Sequence, residues 1–254
     1  MDPSPTPDVL IVGGFLTEPF QYGPLRDRLL GRGAAAVAIA NVHVIDWLAS
    51  GLAGLGPLLV RTGLAIRRAH REAGGRPLLV VGHSGGGILA RLALSPVPFD
   101  GRKADVRDAV AALVTLGTPH GLARADVRWR HPGVAAAAFL DRVPATGPGD
   151  PRTGFVTVGS SAITEAPAAG APVLAQTANL PFRAVVGSMG STGGDGIVSA
   201  EMAHLPGAVQ LRLDDATHGT LGDRWYGDDA IVERWWPVAR DAWEHALDAR
   251  AGRA

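Results

Sequence analysis

Residues 76–94, Arg-Pro-Leu-Leu-Val-Val-Gly-His-Ser-Gly-Gly-Gly-Ile-Leu-Ala-Arg-Leu-Ala-Leu, constrain the fold more than any other part of the chain. An apolar run this short, bounded by Pro77 and Gly82, reads as a strand buried on both faces, the kind found in a parallel sheet covered by helices. The stretch from Gly85 to Leu94 reads as a helix that stops before Pro96. Ser84 therefore falls on a tight strand-to-helix turn, where Gly82 and Gly86 let the two elements approach closely and the serine is held in a strained backbone conformation. A glycine-rich turn before a helix can also cradle phosphate, but this one lacks the lysine of a Walker motif.

The same reading extends in both directions. Buried strands are predicted at 8–13 and 34–40 and further strands at 109–116, 182–187 and 209–213, with helices at 22–31, 52–73 and 228–249, the last with a kink at Pro237. Between 118 and 180 the pattern weakens to a short helix at 133–141 and a strand-like 154–159 among proline- and glycine-rich connections, which reads as a small insertion over the site. The alternation predicts an α/β fold, a mainly parallel sheet of about six strands flanked by helices. At 254 residues and 46% hydrophobic content, residues 1–254 suffice for one domain, with 118–180 as its cap-like insertion.

Composition removes several function classes. Lys plus Arg and Asp plus Glu are both 24, with no clustering of basic residues, so no nucleic-acid partner is expected. The chain has no cysteine, which excludes thiol nucleophiles, disulfides and cysteine-ligated metals, and no HExxH-type cluster; neither a metal nor another cofactor is expected. No apolar run reaches the roughly 18 residues of a spanning helix, so no transmembrane segment is expected. Residues 1–8 lack the basic patch and apolar run of a secretory signal, which points to a cytoplasmic protein. Oligomeric state is left open.

Serine is a poor nucleophile until a base takes its proton, and the base must itself be oriented, usually by a carboxylate. Among the eight histidines, His218, in Ala216-Thr217-His218-Gly219 after the last predicted strand, has the place of a base. Asp195, in Gly193-Gly194-Asp195-Gly196-Ile197-Val198, lies beyond the predicted strand at 182–187 and is the first choice for the acid, with Asp214 and Asp215 in reserve. Both side chains would emerge where strands end at their C-termini, the edge at which open α/β sheets bind ligands. A tetrahedral intermediate also needs backbone donors, and these are assigned to Gly85, which follows the serine, and Phe15, in Gly13-Gly14-Phe15-Leu16 after the first strand. Leu16, His83 and His120 are candidates for lining a substrate pocket, whereas His43 and Trp47 read individually as a surface histidine and a core tryptophan.

These segments together resemble a known group. Ile11-Val12-Gly13-Gly14-Phe15-Leu16, Gly82-His83-Ser84-Gly85-Gly86-Gly87, Leu116-Gly117-Thr118-Pro119-His120-Gly121, Gly194-Asp195-Gly196-Ile197-Val198 and Trp225-Tyr226-Gly227 are similar to segments of the lipase- and esterase-like α/β-hydrolases, especially a bacterial, cyanobacterial and plant-plastid branch. The resemblance implies the α/β-hydrolase fold, Ser84, Asp195 and His218 as the triad, and Phe15 and Gly85 as oxyanion donors. It also places a lid around 134–140, where the short alanine-rich Val-Ala-Ala-Ala-Ala-Phe-Leu suggests a modest cover and small to medium acyl esters, with a small-molecule or lipid ester as substrate. An acyltransferase or other triad chemistry on the same scaffold and a non-catalytic binding member are the alternatives.

Overall fold

The computed structural model of the chain describes residues 6–121, 132–163, 193–220 and 224–252. Within them the short apolar runs form six strands, β1 (Asp8–Val12), β2 (Ala36–Ile39), β3 (Leu78–His83), β4 (Val110–Leu116), β5 (Gly154–Ser160) and β6 (Val209–Leu213). All pair in parallel, in the order β2-β1-β3-β4-β5-β6. The interior strands β1, β3 and β4 are buried along their whole length, as runs without polar alternation require. The strand expected to be buried at 34–40 is instead the edge strand β2, half-exposed because no strand among the described residues pairs with its outer side.

Alternation along each strand divides the core. Leu10, Val12, Leu78, Val80 and Leu113 point to one face and join a cluster with the helices α2 (Val44–Ala53), α3 (Gly56–Glu72) and α4 (Gly85–Leu94). Val9, Ile11, Leu79, Val81 and Val114 point to the other, which is covered by α1 (Gly23–Gly31) and by the long C-terminal helix at Asp229–Arg250, with Pro237 in its interior. That helix brings Trp235, Trp236 and Trp243 onto the sheet, and each buried indole nitrogen donates to a backbone carbonyl, of Tyr226, Arg32 and Pro77 respectively.

Three further expectations are corrected. The helix predicted at 52–73 is α3, which starts only at Gly56, where Pro57, with no N–H to lose, opens it; the first two predicted residues instead end α2, a helix not predicted, which stops at Gly54 in a left-handed conformation (φ 70°). The strand-like 154–159, read as part of the cover, is β5, an interior strand between β4 and β6. The helix predicted at 133–141, proposed as a lid, is α5 (Pro132–Asp141); Ala136 and Leu140 sink into the same apolar cluster as Leu89 and Leu92 of α4, and Phe139 packs edge-on against Phe99, so this helix belongs to the packed layer. The C-terminal helix itself is α6. The strand predicted at 182–187 lies outside the described residues, and no helix among those described is long and apolar enough to cross a membrane.

The strand order has a consequence for function. From β1 the chain passes to β2 on one side, then returns to β3 on the other, so the segments after β1 and β3 leave adjacent strands at the C-terminal edge of the sheet, the edge at which open α/β sheets bind ligands. Phe15 is on the first of those segments and Ser84 on the second.

Candidate active site

Ser84 immediately follows β3 and caps α4 with φ 52° and ψ −127°, a region disfavoured for a residue with a side chain. The turn closes only over glycine: a Cβ on Gly86 would run into the carbonyl oxygen of Val12 on β1. The Ser84 N–H continues the sheet by donating to the carbonyl of Leu116 (2.9 Å), and its own carbonyl accepts from the Thr118 hydroxyl (3.0 Å). The strained turn is thus held by the end of β4 and the segment just after it.

His218 and Asp195 converge on it. His218 Nε2 lies 2.9 Å from Ser84 Oγ, and His218 Nδ1 lies 2.8 Å from Asp195 Oδ2, with all three residues buried. An ionised carboxylate can only accept, so Nδ1 carries the proton and Nε2 is left to accept from the serine hydroxyl. Asp195 is locked from its other side: the amides of Ile197 (2.9 Å) and Val198 (2.7 Å) donate to Oδ1, and the Tyr226 hydroxyl (2.9 Å) joins His218 on Oδ2. Its backbone N–H donates to the Val198 carbonyl and its carbonyl accepts from the His218 N–H (3.0 Å), so the acid and base are fixed to each other at the main chain too.

Burial by itself would raise the Asp195 pKa, but the charge and hydrogen bond of His218 and the two backbone amides more than offset it, and the carboxyl is held below its ordinary value. The Tyr226 phenol is pushed well above its usual value by burial and by the neighbouring carboxylate, so it stays a donor. Gly117, at φ 54°, passes beside this group; a Cβ there would sit 2.6 Å from Asp195 Oδ2 and 3.1 Å from His218 Nδ1. The reserve acids lie elsewhere, with Asp214 and Asp215 at the surface in ion pairs with Arg234.

The Gly85 N–H is the first of α4 and has no acceptor within the helix. The Phe15 amide nitrogen comes within 3.5 Å of the position a Gly85 Cβ would take, so the two residues expected to supply oxyanion donors are neighbours, with Gly85 next to Ser84 in the chain. The Phe15 ring stands edge-on to Trp47 (centroids 5.6 Å apart), and the Trp47 ring edge abuts Gly85, which puts this core tryptophan directly behind the pair.

The pocket candidates separate. Leu16 is half-exposed at the loop, with φ 57°. His83 and His120 are buried. His120 is fully enclosed between Arg91, whose guanidinium donates to Nδ1 (3.2 Å), and Thr115 (2.9 Å); burial and the adjacent Arg91 charge hold its pKa well below the ordinary value. His83 lies behind His218, with Nδ1 2.8 Å from the Tyr22 hydroxyl and Nε2 3.1 Å from the His218 carbonyl oxygen. Burial and the neighbouring His218 lower its pKa to about 3. His43 is half-exposed, between Glu18 (2.7 Å) and Asn41 (2.6 Å). Tyr226 and Tyr22 were not singled out from sequence; the only signal was that Tyr226 belongs to a segment shared with the resembled group.

No family model matches the chain, and no curated protein matches it by sequence. Solved structures do match. The mature lipase BlEst2 of Bacillus licheniformis superposes with a TM-score of 0.64 at 18% identity, over 93% of this chain and 93% of that one. The propeptide form of the same lipase matches with the same score and identity over 93% of this chain and 51% of its own. Esterase 2 of Thermogutta terrifontis, in a form phosphonylated by cyclosarin, aligns with a TM-score of 0.55 at 14% identity over 98% of this chain and 84% of that one. At such identities the likeness concerns architecture, and with the parallel six-stranded sheet it defines the α/β-hydrolase fold.

Proposed function

We propose that the chain is a serine hydrolase that cleaves carboxylic esters through an acyl-enzyme. The observation that carries this reading is the continuous line from Ser84 Oγ through His218 to Asp195, at 2.9 and 2.8 Å, with the serine on a strained turn. In the proposed cycle His218 Nε2 takes the Ser84 proton as Oγ attacks the ester carbonyl carbon. The resulting oxyanion is met by the Gly85 and Phe15 amides, each donor supplying on the order of 3 kcal/mol of transition-state stabilisation. The C–O bond then breaks, His218 protonates the departing alcohol, and water activated by the same nitrogen releases the acid and regenerates the serine. Asp195 keeps the base in the tautomer this requires. The likeness to a lipase and to an esterase supports esters as the substrate class.

The test is intact mass after fluorophosphonate treatment of the wild type and Ser84→Ala, followed by p-nitrophenyl esters of increasing acyl length. Labelling and turnover by the wild type alone are expected, with the preferred chain length reporting the depth of the pocket. A wild type that is neither labelled nor active would sink the assignment.

A further inference from the structure

Behind the site runs a second buried hydrogen-bond chain that the cycle above does not use. The Gly14 N–H donates to the Tyr22 oxygen (2.8 Å), Tyr22 Oη lies 2.8 Å from His83 Nδ1, and His83 Nε2 lies 3.1 Å from the His218 carbonyl oxygen. The direction of each bond follows from the two ends. The His218 carbonyl can only accept, so His83 Nε2 carries the proton; in the neutral ring Nδ1 is then an acceptor, and the Tyr22 hydroxyl donates to it. That leaves the Tyr22 oxygen lone pairs for the Gly14 N–H. Thr17 closes the upstream end, its hydroxyl donating to the Gly14 carbonyl (2.8 Å) while lying 3.1 Å from the Tyr22 oxygen. Tyr22 and His83 are both buried, and the Tyr22 phenol is pushed up to about 12, chiefly by that burial, so it keeps its proton.

The two ends of this chain are the parts that catalysis must hold in register. Gly14 precedes Phe15, one proposed oxyanion donor, and packs so closely on the elbow that a Cβ there would fall 2.8 Å from the Ser84 Cβ. His218 is the proposed base. We infer that Tyr22 and His83 are positioning residues that tie the oxyanion loop to the backbone of His218, so that the donor facing the oxyanion and the nitrogen taking the serine proton keep a fixed separation. Neither is a catalytic residue, since the His83 ring bonds the main chain of His218 and the Tyr22 hydroxyl bonds His83 and Gly14. This inference rests on the hydrolase reading above.

The experiment compares Tyr22→Phe, His83→Leu, His83→Gln and the double variant Tyr22→Phe/His83→Leu with wild type, by p-nitrophenyl butyrate kinetics and the rate of fluorophosphonate labelling. Displacing the donor loop or the base by a fraction of an ångström to an ångström should lower kcat and the labelling rate by roughly 10- to 100-fold in Tyr22→Phe and His83→Leu, with KM within about twofold of wild type. His83→Gln, whose carboxamide offers a donor and an acceptor, should recover most of the loss, and the double variant should be no slower than His83→Leu. A wild type that is not labelled would overturn the hydrolase reading and this inference together. A wild type that is labelled, with variants that match its rate or with Gln no better than Leu, would overturn the inference alone. A measurement on the wild type stands independently of how the variants fold: imidazole nitrogen NMR at neutral pH should find His83 neutral with its proton on Nε2, and a proton on Nδ1 would refute the chain.

Discussion

Asp195→Asn removes a charge without changing shape, and the four donors around the carboxylate dictate what must follow. The amides of Ile197 and Val198 are fixed donors on Oδ1, so the asparagine carbonyl has to take that position and its NH2 must point to where His218 Nδ1 and the Tyr226 hydroxyl now donate. Tyr226 can rotate its hydroxyl and accept. His218 can accommodate an N–H on that side only by turning Nδ1 into an acceptor, which moves its proton to Nε2, the nitrogen 2.9 Å from Ser84 Oγ. A base whose working nitrogen is already protonated cannot take the serine proton, and a wrong tautomer of this kind costs about ten-thousand-fold in kcat, or about 5.4 kcal/mol at about 1.36 kcal/mol per factor of ten. The fold should survive, because the asparagine retains both backbone bonds. The assay is p-nitrophenyl butyrate hydrolysis with the fluorophosphonate labelling rate, alongside a thermal melt. A variant within about tenfold of wild type would refute the assigned acid and the tautomer argument with it.

Other consequences can be checked on the same protein. Ser84→Ala and His218→Ala should each abolish turnover and labelling while circular dichroism and the melting transition stay close to wild type; retained hydrolysis in either would displace that residue from its proposed role. Gly86→Ala should overpack the elbow against the Val12 carbonyl, costing about 1 to 3 kcal/mol, which for a domain of this size lowers Tm by roughly 2 to 12 °C; an unchanged melting scan would refute the close approach. Acid should weaken the fold from near pH 6.5 downward. His83 and His120 are buried and held neutral in the folded protein, at about 3 for His83 and well below the ordinary value for His120, so they take up protons on unfolding. The unfolding free energy should therefore fall as pH drops, with a slope approaching about 2.7 kcal/mol per pH unit for the two sites, and denaturant titrations that give a flat profile between pH 6 and 4.5 would contradict their burial as neutral rings.

How far the sequence could be read depended on whether a residue's role is local. The Ser84 turn is legible because strand, glycine pair and helix are contiguous, and α4 begins and ends where its glycines and Pro96 require. Asp195 and His218 could be named from their order and surroundings, since in a parallel sheet the segments that follow strands gather at one edge. The helix reading at 52–73 finds α3 but not α2, which ends at the left-handed Gly54 just where the predicted helix begins. The sequence of β5 reads as cover because its flanks are rich in proline and glycine, whereas its place in the sheet is decided by pairing with β4 and β6, which no local pattern records.

The tyrosines mark the sharper limit, and they also explain how the site is arranged. Tyr226 bonds a carboxylate 31 positions away and Tyr22 an imidazole 61 positions away, contacts with no periodicity or spacing to announce them. His83 had the opposite fate: adjacency to Ser84 suggested a pocket residue, but successive side chains on a strand point to opposite faces, and the last residue of β3 turns away from the serine that follows it. That same reversal carries its ring beneath His218, where it meets Tyr22. The proposed chemistry thus faces one side of the elbow and its bracing occupies the other, and the strand-to-helix turn that strains Ser84 is what separates the two.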